Sequence, residues 1–242
     1  MSFYSQIADF YTFIFPLSEG QLNFILSRSN NCNQMKLLEV GCGIGELSME
    51  LGKHFEEVIG IDLDEMMISK AKQHATQNMN VKFYCMNMLQ LNRQFTASSF
   101  DRIVSFGNTL VHLLEDDQIV IFFKQSREAL RNQGRLMFQI LNYDYILDHH
   151  VTQLPVIEND TIRFERTYDF LEGKDFIHFN TSLIIKESGT SLSNTIPLNP
   201  IRKNKIEDLL KEAGYASYQF FGSYHKDPYK NDSEILLCEA IK

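Results

Sequence analysis

The chain has 242 residues, of which 44% are hydrophobic and 22% charged, a composition that excludes a disordered or fibrous protein and suits one large domain or a domain carrying an insertion. A net charge of -8 works against binding a nucleic-acid backbone, and the one basic cluster, Arg202-Lys203-Asn204-Lys205, runs into Glu207, Asp208 and Glu212 as a solvated helix face would. Four scattered cysteines with no CxxC pair, no apolar run near the ~20 residues of a membrane span and no basic-then-apolar leader predict a cytoplasmic protein with reduced thiols, without a disulfide framework, zinc site or membrane.

The first ~30 residues carry Phe3, Tyr4, Phe10, Tyr11, Phe13 and Phe15 and are expected to form a helical lid, residues 1–30. A core over residues 31–145 follows. Unalternated aliphatic runs, "KLLEV" (36–40), "EVIGID" (57–62), "VKFYCM" (81–86), "FDRIVSF" (100–106) and "GRLMFQIL" (134–141), are the pattern of strands buried on both faces. Between them, Leu47, Leu51 and Phe55, then Met67, Ala71 and Ala75, then Ile119, Phe122, Phe123, Ser126 and Leu130 recur at helical spacing. Asp64 and Asp116 are predicted as helix N-caps and Gly134 as a helix stop. This alternation predicts an α/β, Rossmann-like fold: a mostly parallel sheet with right-handed crossovers and helices on both faces.

Beyond Leu141 the pattern changes. "TIRFERTYDFL" (161–171) alternates, placing Ile162, Phe164, Arg166, Tyr168 and Phe170 on one face, and "FIHFNTSLIIKE" (176–187) reads as its hairpin partner. An antiparallel cap insertion over residues 146–197 is expected. A helix over 201–214 ending at Gly214 and strands near 216–222 and 234–241 then complete the core sheet over residues 198–242, the last strand antiparallel.

In such a sheet, ligands bind at the carboxyl ends of the strands where the topology switches. Here those ends carry Gly41, Gly43 and Gly45, then Asp62, Asn87 and Gly107-Asn108. The glycines read either as a tight turn before a helix or as room for a ligand. A carboxylate about 20 residues on, Asp62, suits a ribose diol. A nicotinamide cofactor is disfavoured, because the sixth position of G-x-G-x-x-G is the acid Glu46 and Glu39 also stands close to where a pyrophosphate would lie.

"LLEVGCGIGEL" followed by "VIGIDLDEMMISKA" resembles the first two motifs of class I S-adenosylmethionine-dependent methyltransferases. The resemblance implies that Glu39, Gly41, Gly43 and Gly45 hold the methionyl part, Asp62 the ribose and Met67 the adenine, with Asn87 and then Met88 at the adenine rim. Cys42, Leu63 and Phe106 adjoin these motifs and complete the expected donor contacts, and Tyr4 and Tyr11 are expected to close over the sulfonium. A narrower similarity, "SFDRIVSFGNTLVHL" with "ILNYDYIL", is to glycine N-methyltransferase and its bacterial relatives, in which an Arg before the Asn-Tyr-Asp stretch holds the acceptor carboxylate. Here that position is Leu141, so glycine is not the expected acceptor.

Three residues are candidates at the reaction centre. Asn108 is expected to orient the acceptor and His112 to take its proton, unless His112 packs on the next helix. Arg166 either replaces the missing carboxylate clamp or pairs with a neighbouring acid. Asp144, Asp148, His149 and His150 lack ligand spacing with His112, and no metal is expected. The expected activity is S-adenosylmethionine-dependent in-line methylation of a small molecule, at nitrogen, by a monomer or homo-dimer with no nucleic-acid or membrane partner. O-methylation, a non-catalytic S-adenosylmethionine or S-adenosylhomocysteine-binding protein and an RNA or protein methyltransferase stand as alternatives.

Overall fold

Apolar runs too short to hide alone must pair, and in the computed structural model, which describes residues 3–27, 31–75 and 80–242 with backbone alone at positions 3 and 4, they do so in chain order. Helices α1 (Phe3–Ile7), α2 (Tyr11–Ile14) and α3 (Glu19–Leu26) precede strand β1 (Lys36–Val40) and helix α4 (Glu46–Leu51). Strand β2 (Glu57–Asp62), helix α5 (Glu65–His74), strand β3 (Val81–Cys85), the short helix α6 (Leu91–Gln94), strand β4 (Phe100–Ser105), helix α7 (Asp116–Ala129) and strand β5 (Leu130–Leu141) continue the alternation. Helix α8 (Tyr143–Asp148) then leads into a separate antiparallel sheet of β6 (Ile157–Glu158), β7 (Ile162–Phe170), β8 (Ile177–Ile185) and β9 (Thr190–Leu198). Helix α9 (Lys203–Glu212) and strands β10 (Ser217–Phe221) and β11 (Ile235–Ile241) close the chain.

The main sheet has seven strands in the order β10-β11-β5-β4-β1-β2-β3. Strands β1 to β5 pair in parallel, whereas β11 runs antiparallel to both β5 and β10. This is the mostly parallel sheet that the alternation of runs predicts, closed by the expected antiparallel last strand. Strands β1, β2 and β4 are buried almost throughout, as their lack of polar alternation requires, while the edge strand β3 alternates. Because β1 lies between β4 and β2, the chain reverses its direction of travel across the sheet at β1, and the loops after β1, β2, β3 and β4 meet above that point. Among the described residues, no helix is long and apolar enough to cross a membrane.

Several local signals read as expected. The Asp64 carboxylate accepts from the backbone N–H of Met66 at 2.9 Å and of Met67 at 3.1 Å, capping α5, and Gly214 (φ +88°) ends α9 in the left-handed conformation. Two did not. Asp116 is the first helical residue of α7; Glu115 takes the cap position, and the Gln118 side chain accepts from its N–H at 3.4 Å. Gly134 does not stop a helix, because α7 ends at Ala129 and β5 starts at the next residue. From the Phe100–Leu130 pair to the Arg102–Arg135 pair, residues 131–134 bulge from the ladder with Gln133 at φ 64°, and a Cβ on Gly134 would lie 2.8 Å from the Arg131 carbonyl oxygen.

The N-terminal helices are wedged between the two sheets. Ile7, Ala8 and Ile14 share one apolar cluster with Ile44 and Met67 below and Ile162, Phe164 and Leu183 of the second sheet above. Ser5 donates to Asp64 at 2.8 Å, Lys70 pairs with Asp9, and Asn159 donates to the Phe13 carbonyl at 3.1 Å, so polar contacts fix the same wedge from both sides.

Gly45 and Gly107 separate two costs of adding a side chain. Both have positive φ, but a Cβ at Gly45 would sit 2.5 Å from the Phe83 ring, whereas Gly107 has open space within 4 Å. Gly107→Ala is expected to lose about 1–2 kcal/mol of stability from backbone conformation alone. Gly45→Ala is expected to lose about 1–3 kcal/mol more through overpacking, with both read from denaturant unfolding.

Candidate functional site

The loop between β1 and α4 is held in a shape only glycine adopts easily. Gly41, Gly43 and Gly45 have φ of +77°, +53° and +83°. The space a Cβ would take at each is already filled by the chain itself: Thr109 at 2.5 Å from the Gly41 position, the Tyr11 ring at 3.2 Å from Gly43 and Phe83 at 2.5 Å from Gly45. Side chains are thus excluded here by the protein's own packing as well as by any room a ligand needs. Gly41 and Cys42 both donate their N–H to the Ile61 carbonyl, at 2.8 and 3.0 Å, which pins the loop over the end of β2. Cys42 is buried, and burial pushes its thiol well up, so it is a packing residue rather than a nucleophile.

Glu39 lies beneath this loop. Its carboxylate is 5% exposed and accepts a short hydrogen bond from the Ser48 hydroxyl on α4. Burial, with a smaller contribution from the charge of Asp62, raises its pKa to about 8 against the lowering effect of Ser48.

Asp62 ends β2 with both oxygens engaged. Oδ2 accepts from Gly43 N–H at 2.9 Å and Oδ1 from Asp64 N–H at 2.9 Å; burial raises its pKa while these bonds oppose the rise. Beside it opens a cleft of about 450 Å³ lined by Leu63, Tyr84, Cys85, Met86, Asn87 and Gln90 among others. Leu63 is 71% exposed there. The Asn87 side-chain oxygen accepts from Leu89 N–H at 2.8 Å. Met67 is not in this cleft: it is 1% exposed in the cluster under the N-terminal helices, so the apolar surface beside Asp62 comes from Leu63 instead. Met88 likewise packs against the main core, and Met86 takes the cleft position. Phe106 is buried, its ring edge-on to Phe24 and against Tyr224 in a cluster that also holds Cys42 of the glycine loop.

Asn108 adopts φ 68° after β4 and spends its side chain on the fold. Its oxygen accepts from Leu141 N–H at 3.0 Å and its amide donates to the Tyr143 hydroxyl at 2.9 Å, which locks the β4 loop to the end of β5. It therefore positions the loop rather than presenting two free amide groups to an acceptor. His112 closes the following short turn, Thr109–His112, and burial lowers its pKa to about 4. Arg166 lies on the face of β7 that carries Phe164 and Tyr168; its Nη2 donates to the Pro155 carbonyl at 2.8 Å and its guanidinium stands 6.0 Å from the Phe164 ring centroid. The Tyr11 ring covers Gly43, and the Tyr4 side chain lies outside the described residues. His149 stacks on Tyr145 and His150 on Phe170, while Asp144 accepts from Tyr229, Arg202 and Lys203 and Asp148 from Arg202, so the two histidines and the two acids are turned to separate partners.

Residues 37–134 match the family described as Methyltransferase domain. A relative from Bacillus subtilis (strain 168), YqeM, named as a methyltransferase, is 31% identical over 218 residues, covering 86% of this chain and 84% of its own length. The chain belongs to the S-adenosylmethionine-dependent methyltransferases. Another relative named as a methyltransferase, from Geobacillus sp. (strain WCH70), is 34% identical over 52% of this chain, and the match spans about half of that protein, 49%. The crystal structure of an S-adenosylmethionine-dependent methyltransferase from Clostridium acetobutylicum ATCC 824 superimposes with a TM-score of 0.81 over 99% of both chains at 18% identity, a likeness of fold.

The candidate site also contains residues that sequence reading passed over. Ser48 holds Glu39, Thr109 covers Gly41, and Gln139 accepts from Gly107 N–H at 3.0 Å. Ser48 falls on the same helix as Leu47 and Leu51, so its inward direction was readable; Thr109 meets Gly41 only through the pairing of β1 with β4, and Gln139 meets Gly107 only through that of β4 with β5.

Glu39 gives a pH test. Its folded pKa lies above the ordinary carboxylate value, so the stability contributed by its proton is full below about 4.5, falls as pH rises and is lost above about 8. Glu39→Gln, which keeps the shape without the charge, is expected to flatten the fall of Tm between pH 5 and 8; an unchanged slope would show that Glu39 is ionised in the fold.

Proposed function

We propose that this methyltransferase acts on a small molecule and methylates nitrogen in preference to oxygen. The observation that carries the reading is the meeting of three parts above one switch point: the glycine loop, the Asp62 carboxylate beside an open cleft, and the β4 loop with Asn108 and His112 beneath the second sheet. The cleft's size and its mixture of Leu63, Met86 and Asn87 suit an adenine ring, Asp62 retains lone pairs for a ribose diol, and the buried Glu39, its pKa raised to about 8, lies under the methionyl end, where a cationic donor would favour its ionised form. S-adenosylmethionine, when bound, supplies an activated methyl group for in-line displacement.

The chain's task is then alignment and exclusion of water, which can supply roughly 7–11 kcal/mol. The helical lid (1–30) with Tyr11 on Gly43 and the cap (146–197) serve the exclusion in this reading. His112 supports nitrogen over oxygen. With its pKa lowered to about 4 it is neutral at pH 7 and a weak base, able to accept a hydrogen bond from an amine N–H but poorly suited to deprotonate a phenol or alcohol. A neutral amine needs no such help before it attacks.

Asp62→Asn is expected to weaken S-adenosylhomocysteine binding about 100-fold, the scale of one or two charge-assisted hydrogen bonds, with calorimetry as the measurement. Transfer of labelled methyl to a panel of amines and phenols tests the acceptor: transfer to amines that drops about 10- to 100-fold in His112→Ala without a change in S-adenosylhomocysteine affinity is expected. Transfer to phenols alone would overturn the nitrogen preference, and tight donor binding with no acceptor in any class would favour a sensor.

A further inference from the structure

The core-facing side of the second sheet is apolar except for one row across its middle. By strand register, Arg166 of β7 pairs with Thr181 of β8 and Thr181 with Asn194 of β9. The row on one side is Phe164, Leu183 and Leu192, and the row on the other is Tyr168, Phe179 and Ile196. A polar stripe between two apolar stripes, on a face turned inward, is costly unless its groups are paired.

It is only partly paired. Arg166 Nη2 reaches the Pro155 carbonyl and the Thr181 hydroxyl donates to the Asn194 carbonyl at 3.4 Å, but Arg166 Nε and Asn194 Nδ2 are buried with no hydrogen-bond partner among the described residues. Among the described residues no carboxylate bears on Arg166: burial lowers its pKa, and the group whose charge opposes this is Tyr168. The reading in which Arg166 pairs with a neighbouring acid is therefore not what the structure shows.

The position of Arg166 follows from its neighbours on β7. Phe164 leads through Phe15 (6.1 Å between ring centroids) and Tyr11 (5.3 Å) to Gly43. Tyr168 leads through Tyr143 (6.5 Å) to Asn108. Arg166 stands between these two chains of contact, on the side of the cap that faces the gap between the glycine loop and the β4 loop, where an acceptor has to lie.

We infer that Arg166 and Asn194 bind a carboxylate on the acceptor, and that the acceptor is an apolar monocarboxylic acid bearing the nucleophilic amine. One guanidinium with neutral donors along the same row matches a single negative charge, its fork offering the parallel N–H groups a planar carboxylate takes and the Asn194 amide, one strand beyond Thr181, a further donor. The half-buried Leu192, Phe179 and Ile196 in the rows on either side suit a hydrocarbon body in place of a small hydrophilic one. This inference rests on the methyltransferase reading of the same site.

The test uses the full chain saturated with S-adenosylhomocysteine, whose own binding is measured first. Benzoate, 3-phenylpropionate and hexanoate are compared with their amides by thermal shift, and aminobenzoates, phenylalanine and leucine with their amides as methyl acceptors. Stabilisation by acids but not amides is expected. Arg166→Gln is expected to abolish that difference, raising KM for acids about 100-fold with S-adenosylhomocysteine affinity unchanged, while Arg166→Lys recovers part of it and Asn194→Ala raises KM about 10-fold. Equal response to acids and amides, no response to any acid, or an Arg166→Gln effect on kcat alone overturns the inference and leaves the methyltransferase reading standing. Failure of the wild type to bind S-adenosylhomocysteine overturns both.

Discussion

One carboxylate, that of Asp62, ties together the parts on which the site depends. Its two oxygens take the N–H groups of Gly43 and Asp64, joining the glycine loop to the start of α5, while Gly41 and Cys42 are held to the neighbouring Ile61 carbonyl. The loop must turn left-handed to reach those acceptors, and only then can Tyr11, Thr109 and Phe83 close around it. Asp64, fixed in turn, caps α5 and accepts from Ser5, so the N-terminal helices inherit their placement from the same few hydrogen bonds.

Burial does different chemistry at each ionisable group around this centre. It raises Glu39 to about 8, lowers His112 to about 4 and leaves Arg166 charged but short of partners. In the proposed reading, a protonated Glu39 under the glycine loop, a neutral imidazole in the β4 loop and an uncompensated guanidinium on the cap are complementary demands on a ligand. A cationic donor relieves the first, a neutral amine suits the second and an anionic group answers the third. The wedge of α1 and α2 fills the space between the two sheets with an apolar cluster that runs from Met67 to Phe164.

Much of the fold was legible because strand burial and helix amphipathicity are written in residue spacing. Strands β1, β2 and β4 appeared as unbroken aliphatic runs, and Gly214 and Asp64 marked helix ends by properties that reside in single residues. Strands β6 and β9 escaped notice, the first for being two residues long, the second because its outward face is polar and it carries Pro197. Gly134 misled because a glycine after a helical pattern signals a stop, whereas here it serves a bulge whose need arises from the register of β4 against β5.

At the site, the motif marked the left-handed glycine loop and the acid after β2, since glycine conformation and carboxylate chemistry belong to the residues themselves. Which methionine meets the cleft did not: Met67 and Met88 sit in helical or turn positions whose direction depends on what packs over them, and Leu63 and Met86 are exposed instead. Asn108 carries the right groups to orient an acceptor, yet Leu141 and Tyr143, 33 and 35 residues away, claim them. Sequence alone thus determined the order of strands and helices, the donor motif and the chemical type of each candidate side chain, because these follow from local spacing and residue identity. Only the tertiary structure decided which of those side chains are already spent on the fold, and that Arg166 and Asn194 share a row, because hydrogen-bond partners and strand register join residues far apart in the chain.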